Sequence, residues 1–347
     1  MNDTTEKHTV SMYFVNAAVA NLTQFAKNRA LTASGIPTQL VSVAHARVPA
    51  ASYSALWLAV ARELDDEFFG LDSRAMKVGS FALLCQAVLA CENLERAIKR
   101  MLRGFSLFLD DIHGELRLEG KDAVILVFNR IKSAPARRFA DETFLVLLHG
   151  LMCWVIGRRL VLQRVEFTHA RPMHTKEYTL MYSQHLGFDA LCTSIRFDAE
   201  ALFAPSVQNA ATLKQFLHTA PQSVFLKYKN EDSWTARLQR RLRGCLGGEP
   251  WPVFENIAAE LDTTPMTLRR RLMAESTSYK DIKDQLRSDL AIDRLCHSNL
   301  SVDEIGALLG YHDASAFHRA FKRWNGLQPG EYRRRKIHAV ESEGKSE

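Results

Sequence analysis

Two short arginine-bearing runs hold the residues with the plainest chemistry in this chain. One is Thr264-Pro265-Met266-Thr267-Leu268-Arg269-Arg270-Arg271-Leu272; the other is Ala314-Ser315-Ala316-Phe317-His318-Arg319-Ala320-Phe321-Lys322-Arg323. A guanidinium presents a rigid fork of donors that matches guanine O6 and N7, while Ser, Thr and His reach base edges or phosphate. Cations further along such a run neutralise phosphate without reading sequence. Leu268 and Leu272, like Phe317 and Phe321, lie four residues apart and so share one helical face. The opposite side is the candidate reading surface: Thr264, Met266, Thr267, Arg269 and Arg270 in the first run; Ala314, Ser315, His318, Arg319, Lys322 and Arg323 in the second. Lys322 and Arg323 read as phosphate contacts, and Arg271 as solvated or phosphate-facing charge.

Each run is the second half of a duplicated unit. Sliding Phe254–Ile282 onto Val302–Tyr332 sets Ile257 on Ile305 and Leu261 on Leu309, both 48 residues on. After a one-residue insertion, Leu268 falls on Phe317, Arg270 on Arg319 and Leu272 on Phe321, now 49 on. Each copy predicts a short helix, a tight turn and a second helix, the pattern of a helix-turn-helix whose second helix enters the major groove. Thr264 caps the first such helix, and Pro265 suits its first position, where no amide donor is missed. Ser301-Val302-Asp303-Glu304 is a capping box for the second unit, and Gly310 supplies its turn. Between the copies, Ser278-Tyr279-Lys280-Asp281 reads as another capping box, opening a helix to about Ser298. Its roughly 20 residues span about 30 Å, close to the roughly 34 Å of one duplex turn. Upstream, Trp234–Leu246 is an amphipathic helix stopped by Gly247-Gly248-Glu249-Pro250, with Arg240, Arg241 and Arg243 on its solvated face.

Residues 253–335 closely resemble the DNA-binding domain of the AraC/XylS family of bacterial transcriptional regulators. The diagnostic stretches are Ile305–Tyr311, then Ser315–Gly326 with Pro329 to Arg333; Thr264–Leu272 fits as well. The departure is Asp262, where glycine or another permissive residue is common; Asp tolerates a left-handed turn better than most residues. The resemblance implies a DNA-binding domain that reads two adjacent grooves of promoter DNA and activates transcription through RNA polymerase. It points to Met266, Arg269 and Arg270 in one reading helix, and to Ala314, Ser315, His318 and Arg319 in the other. Residues 20–205 are similar in layout to the arabinose-binding-type N-terminal domain of one subgroup, notably at Arg164–Pro172, which implies sensing of a small-molecule effector or homodimerisation.

The remaining chain sets bounds. With 347 residues, 47% hydrophobic and 24% charged, two folded domains are expected. The formal charge is +6, and residues 237–336 carry 18 Lys/Arg against 13 Asp/Glu, a denser positive balance than the 26 against 21 of residues 1–230. The first domain predicts α+β: a helix near Val15–Ala33, helices over Ala51–Leu109 broken at Asp72-Ser73-Arg74, a hairpin at Glu115–Phe128 and a helix at Phe139–Leu160. A strand at Arg164–His169, a helix at Glu177–Leu186 and a last strand at Ser194–Phe197 follow. The expected division is 1–205 for effector sensing or dimerisation, 206–233 as connector, 234–336 as an all-α double helix-turn-helix domain joined by its linker helix, and 337–347 as a polar tail. Six scattered cysteines without a C-x-x-C pair read as reduced core thiols, and no apolar run reaches the roughly 20 residues of a membrane span. With no signal peptide either, the expectation is a cytoplasmic protein. His169 and His174 read as structural rather than metal-binding, Asp110 and Asp111 as a loop, and Trp57, Phe68, Phe69, Phe81 and Trp154 as core. No cofactor motif occurs. A DNA-modifying or repair enzyme targeted by the paired units is the alternative; it needs a reactive cysteine or metal cluster outside the reading domain, and none is apparent, so the expectation is a protein that is not an enzyme.

Overall fold

The structure is a computed structural model that describes residues 9–43, 46–226, 234–244, 251–274, 277–311 and 313–334. In chain order its elements begin β1 (Thr9–Ser11), α1 (Met12–Ala18), α2 (Gln24–Ala33), β2 (Arg47–Pro49), α3 (Ala50–Leu64), α4 (Ser80–Val88) and α5 (Leu94–Phe108). There follow β3 (Ile112–Glu119), β4 (Asp122–Asn129), α6 (Ala134–Val155), β5 (Arg164–Glu166), α7 (Thr175–Met181), β6 (Leu186–Gly187) and β7 (Thr193–Asp198). The C-terminal part is helical: α8 (Ala210–Thr219), α9 (Gln222–Leu226), α10 (Trp234–Arg243), α11 (Phe254–Glu260), α12 (Pro265–Ala274), α13 (Tyr279–His297), α14 (Val302–Leu308) and α15 (Ala314–Asn325). Two compact units result: a sheet unit of Ala17–Lys27 with Leu56–Asn230, and a helical unit of Met1–Asn16, Asn28–Ala55 and Glu231–Glu347.

The sheet unit is α+β, as the change of hydrophobic period predicts. Its five strands run β3-β4-β7-β5-β6. The β3–β4 hairpin closes with Glu119 opposite Asp122, and Gly120 takes the left-handed φ of +63° that a two-residue turn demands. Helix α6 is buried along nearly all of Phe139–Val155, its apolar residues forming the spine of the unit around the buried Asp141, Glu142 and His149. Phe105 and Phe144 meet at 4.9 Å between ring centroids, and Trp57 and Phe69 at 4.6 Å, so the aromatic residues singled out in the sequence pack as core.

Several local expectations change for reasons of long-range bonding. The single helix expected near Val15–Ala33 is two, α1 and α2; between them Asn21 Nδ2 donates to the carbonyls of Phe69 and Gly70, both at 2.9 Å. The break between α3 and α4 is wider than the tripeptide Asp72-Ser73-Arg74. Buried Asp66 accepts from the amides of Phe68, Gly70 and Met76, and Asp72 from those of Arg74, Asp110, Asp111 and Ile112. Those carboxylates satisfy amides that a helix would otherwise have paired. The helix expected over Glu177–Leu186 stops at Met181, because Leu186-Gly187 pairs in parallel with β5. Part of the expected connector is structured. Asn209 and Thr212 form a capping box that opens α8, whose Phe216 stacks on Trp154 at 4.9 Å, while residues 227–233 lie outside the described residues.

The helical unit joins α10–α15 to an N-terminal ribbon. In β1 and β2, Thr9 pairs with Pro49 and Ser11 with Arg47. The Thr9 hydroxyl donates to Asp289 of α13 at 2.5 Å, and the buried Tyr332 hydroxyl donates to the Arg47 carbonyl at 2.7 Å. Residues 9–16 and 28–55 thus cluster in space with the C-terminal helices. The expected tail, 337–347, lies outside the described residues.

Candidate nucleic-acid interface

The duplication is written into the backbone. In the first unit, Leu261 N–H donates to Ile257 O (3.0 Å), Asp262 to Ala259 (3.0 Å) and Thr263 to Ala258 (2.9 Å). In the second, Leu309 donates to Ile305 (3.1 Å), Gly310 to Ala307 (2.9 Å) and Tyr311 to Gly306 (3.0 Å). Every donor and acceptor is displaced by the same 48 residues. The pivot of each turn is left-handed, Asp262 at φ +50° and Gly310 at φ +78°, so the aspartate at the departure from the family pattern does hold the required conformation.

The second helix of each unit starts as its residues dictate. Thr264 Oγ1 accepts from Thr267 N–H at 3.2 Å, with Pro265 as the first residue of α12. Asp313 accepts from Ser315 and Ala316 N–H, and Gly326 ends α15 at a left-handed φ of +76°. Ser301 and Glu304 form the reciprocal capping box expected ahead of α14. At α13 the cap takes another form: Ser278 Oγ accepts from Asp281 N–H at 3.2 Å, and the same hydroxyl donates to the Asp281 carboxylate at 2.9 Å.

One face of each helix is spent on packing. Leu268 and Leu272 are buried with Leu238, Leu242, Ile257, Ala258, Ile282 and Leu286. Helix α10 thus belongs to the first unit's core, and its Arg241 pairs with Glu260 of α11, whose carboxyl is held below its usual range by that hydrogen bond. Phe317 and Phe321 are fully buried in the second unit. Helix α13 serves both: Ile282 and Leu286 enter the first core, while Ser288 Oγ accepts from buried Asn325 of α15 at 3.2 Å.

The other face carries the candidate readers. Thr264, Met266, Arg269 and Arg270 are exposed; Met266, at 81% exposure, is a long apolar side chain presented to solvent. Thr267 is half-buried and accepts from Thr264 through its own hydroxyl at 3.0 Å. Ala314, Ser315, Arg319 and Lys322 are exposed on α15, and His318 is half-buried with its ring edge-on to Phe317. The Arg319 guanidinium stands 3.9 Å from the Asp313 carboxylate with 74% of its side chain accessible. Arg323 is turned to the linker helix, donating to Asp284 at 3.1 Å. Arg271 lies 4.0 Å over the Trp234 ring and so braces α12 against α10. The bracing by Trp234 escaped the sequence reading, because an aromatic at helical spacing gives no sign of which cation will cover it.

Other candidate chemistry resolves into packing. Tyr178 donates to the Glu142 carboxylate, and the Tyr182 hydroxyl donates to the Glu142 carbonyl at 2.9 Å, with His169 and His174 against Tyr178. Asp111 accepts from Ser73 N–H at 3.0 Å in the loop after α5. Cys85, Cys91 and Cys153 are buried thiols, Cys153 pushed up to about 11 by burial. Cys245 lies outside the described residues. Among the described residues no group of His, Cys, Asp and Glu could hold a metal ion, and no helix is long and apolar enough to cross a membrane.

A sheet-bearing N-terminal region followed by paired helix-turn-helix units defines a class of bacterial transcription regulators. Residues 26–206 match the arabinose-binding domain of AraC transcription regulators, and residues 257–335 match a helix-turn-helix domain. The chain belongs to the AraC family and is a DNA-binding transcriptional regulator. It is 29% identical to the ornithine utilization regulator of Pseudomonas aeruginosa over 259 residues, covering 74% of this chain and 76% of that protein. The transcriptional regulator VirS of Mycobacterium tuberculosis is 40% identical over 79 residues, 23% of each chain. The solved structure of the regulator CdpR from Pseudomonas aeruginosa aligns over 92% of this chain and 96% of that one, at 19% identity and a TM-score of 0.32.

Proposed function

We propose that this regulator reads two successive major grooves of promoter DNA, with Met266, Arg269 and Arg270 of α12 and Ala314, Ser315, His318 and Arg319 of α15 at base edges. Thr264, Thr267, Lys322 and Arg323 contact or border phosphate. The observation that carries this reading is the repeated turn, which holds α12 and α15 as equivalent exposed helices built onto one continuous α13. At about 1.5 Å per residue, the 19 residues of α13 extend roughly 28 Å, near one duplex turn. DNA contact by arginine on exposed helix faces fits the positive balance of residues 237–336.

The sheet unit senses a small-molecule effector or carries homodimerisation, and the DNA-bound regulator activates transcription through RNA polymerase in the cytoplasm. The protein performs no catalysis. Ornithine and related amino acids head the effector panel, because a relative matched over most of its length is named for ornithine utilization. The test is footprinting of the purified full chain on the DNA flanking its own gene, with transcription measured alongside. Two protected major-groove patches one turn apart, with raised transcription, support the reading; one isolated patch or no protection overturns it.

A further inference from the structure

Arg287 lies near the middle of α13, and its guanidinium lies over two aromatic rings. The guanidinium carbon is 4.8 Å from the Trp251 ring centroid and 5.0 Å from the Tyr311 ring centroid. Its Nε also donates to the Leu309 carbonyl at 3.2 Å. These partners belong to different reading units. Trp251 precedes α11 and packs on the first unit's core. Leu309 and Tyr311 flank the left-handed pivot Gly310 in the second unit's turn. Tyr311 then leans on Phe317, 5.7 Å between centroids, in the buried face of α15. A continuous stack therefore runs from the first core through Trp251, Arg287 and Tyr311 to the second reading helix.

The arrangement has a directional consequence. A hydrophobic contact tolerates rotation, but a planar cation set against two rings and hydrogen-bonded to a turn carbonyl has a preferred direction. Gly310 holds the left-handed φ of +78° at this turn, and a Cβ built on it would stand in ordinary contact, 3.4 Å, with Trp251 Cδ1. Arg287 is half-buried, unlike the exposed cations of α12 and α15.

We propose that Arg287 is a positioning residue that locks the two helix-turn-helix units in one mutual orientation and thereby sets the half-site spacing the regulator accepts. This rests on the two-groove reading above. Two linked reading helices bind as a bivalent pair, so the second contact is made at an effective concentration set by the stiffness of the link. Loosening the link lowers affinity for a correctly spaced pair while leaving each single contact alone. It also reduces the penalty for a wrongly spaced pair.

The test uses the full-length protein and a duplex selected by the wild-type chain from a random-sequence pool. Derivatives carry either half scrambled, or one to five base pairs inserted between the halves. Arg287→Gln is expected to lose roughly tenfold on the intact duplex, to bind the half-scrambled duplexes within about twofold of wild type, and to show a flattened penalty across the insertions. Arg287→Lys keeps the charge without the planar stack and is expected to fall between the two. Tyr311→Leu removes one face of the stack with Arg287 in place and should reproduce the flattened penalty; thermal unfolding of each variant guards against misfolding. Equal losses on intact and half-scrambled duplexes, a shallower salt slope for Arg287→Gln, or an unchanged insertion profile would overturn the proposal. If the wild type protects only one half of the selected duplex, the two-groove reading itself fails, which is a distinct outcome.

Discussion

Arg319 and Arg323 lie four residues apart on α15, yet the structure gives them different surroundings. Arg319 is largely accessible, with Asp313 at 3.9 Å as a loose neighbour. Arg323 is engaged with Asp284 at 3.1 Å and must leave or share that partner to meet phosphate. Arg319→Ala is expected to weaken specific binding by roughly 1–3 kcal/mol and to relax preference at one base pair. Titrations against the mapped site and its single-base variants would reveal this, and unchanged affinity with unchanged preference would remove the assignment. Lys322→Ala should weaken binding evenly across sequences and lower the slope of log affinity against log salt by about 1. A slope equal to wild type would take Lys322 off the phosphate. In the sheet unit, His149 is buried beside Cys153, with Nε2 2.9 Å from the Leu160 carbonyl; burial first, then the charge of Arg159, lowers its pKa from 6.5 to about 4. A depressed folded-state pKa contributes stability that is present above about 6.5 and lost as pH falls towards about 4. Unfolding temperatures of wild type and His149→Gln at pH 7 and pH 4.5 should diverge, the variant losing less on acidification; parallel losses would contradict the assignment. Residue types are legible in the sequence, but these environments are not, because each depends on a partner brought near by folding.

At the scale of elements, the two units solve one packing problem with different residues. Where the first unit has Ala258 and Leu268, the second has Gly306 and Phe317. A Cβ on Gly306 would meet the Phe317 side chain at 3.2–3.3 Å, tighter than ordinary contact, so the larger ring is accommodated by removal of a methyl. Gly306→Ala combined with Phe317→Leu is therefore expected to be less destabilising than the sum of the single changes, with a coupling of about 0.5–3 kcal/mol in a double-mutant cycle. Strict additivity would mean that the two positions do not share a constraint. Elements of this kind were legible because their signals are local: the caps at Thr264 and Ser301 and the left-handed pivots at Asp262 and Gly310 all concern residues within a few positions. The split between α1 and α2 and the early end of α7 were not legible. Asn21 depends on carbonyls 48 and 49 residues away, and β6 exists only because β5 lies beside it.

For the whole molecule, the dimerisation reading proposed for the sheet unit sets the mass to be tested. Sedimentation of the full chain should give twice the monomer mass of 39.3 kDa at micromolar concentration, and a monomer across that range would remove dimerisation from the sheet unit's role. The composition of the helical unit is the larger structural point, since the β1–β2 ribbon packs with helices from the opposite end of the chain. Thr9 and Asp289 are 280 residues apart, and Arg47 and Tyr332 are 285 apart.

What the amino-acid order determined alone was the tandem unit: its period, its turns, its caps and the polar faces of α12 and α15. Those follow from backbone preferences and side-chain periodicity over a dozen residues or fewer, and no distant contact is needed to state them. The tertiary structure decided which arginines face outward, which are stacked or paired, and how Arg287 ties Trp251 to Tyr311. It also decided that the N-terminal ribbon sides with the C-terminal helices. Those outcomes turn on hydrogen bonds, ring contacts and burial between residues far apart in the chain, which neither propensity nor spacing encodes.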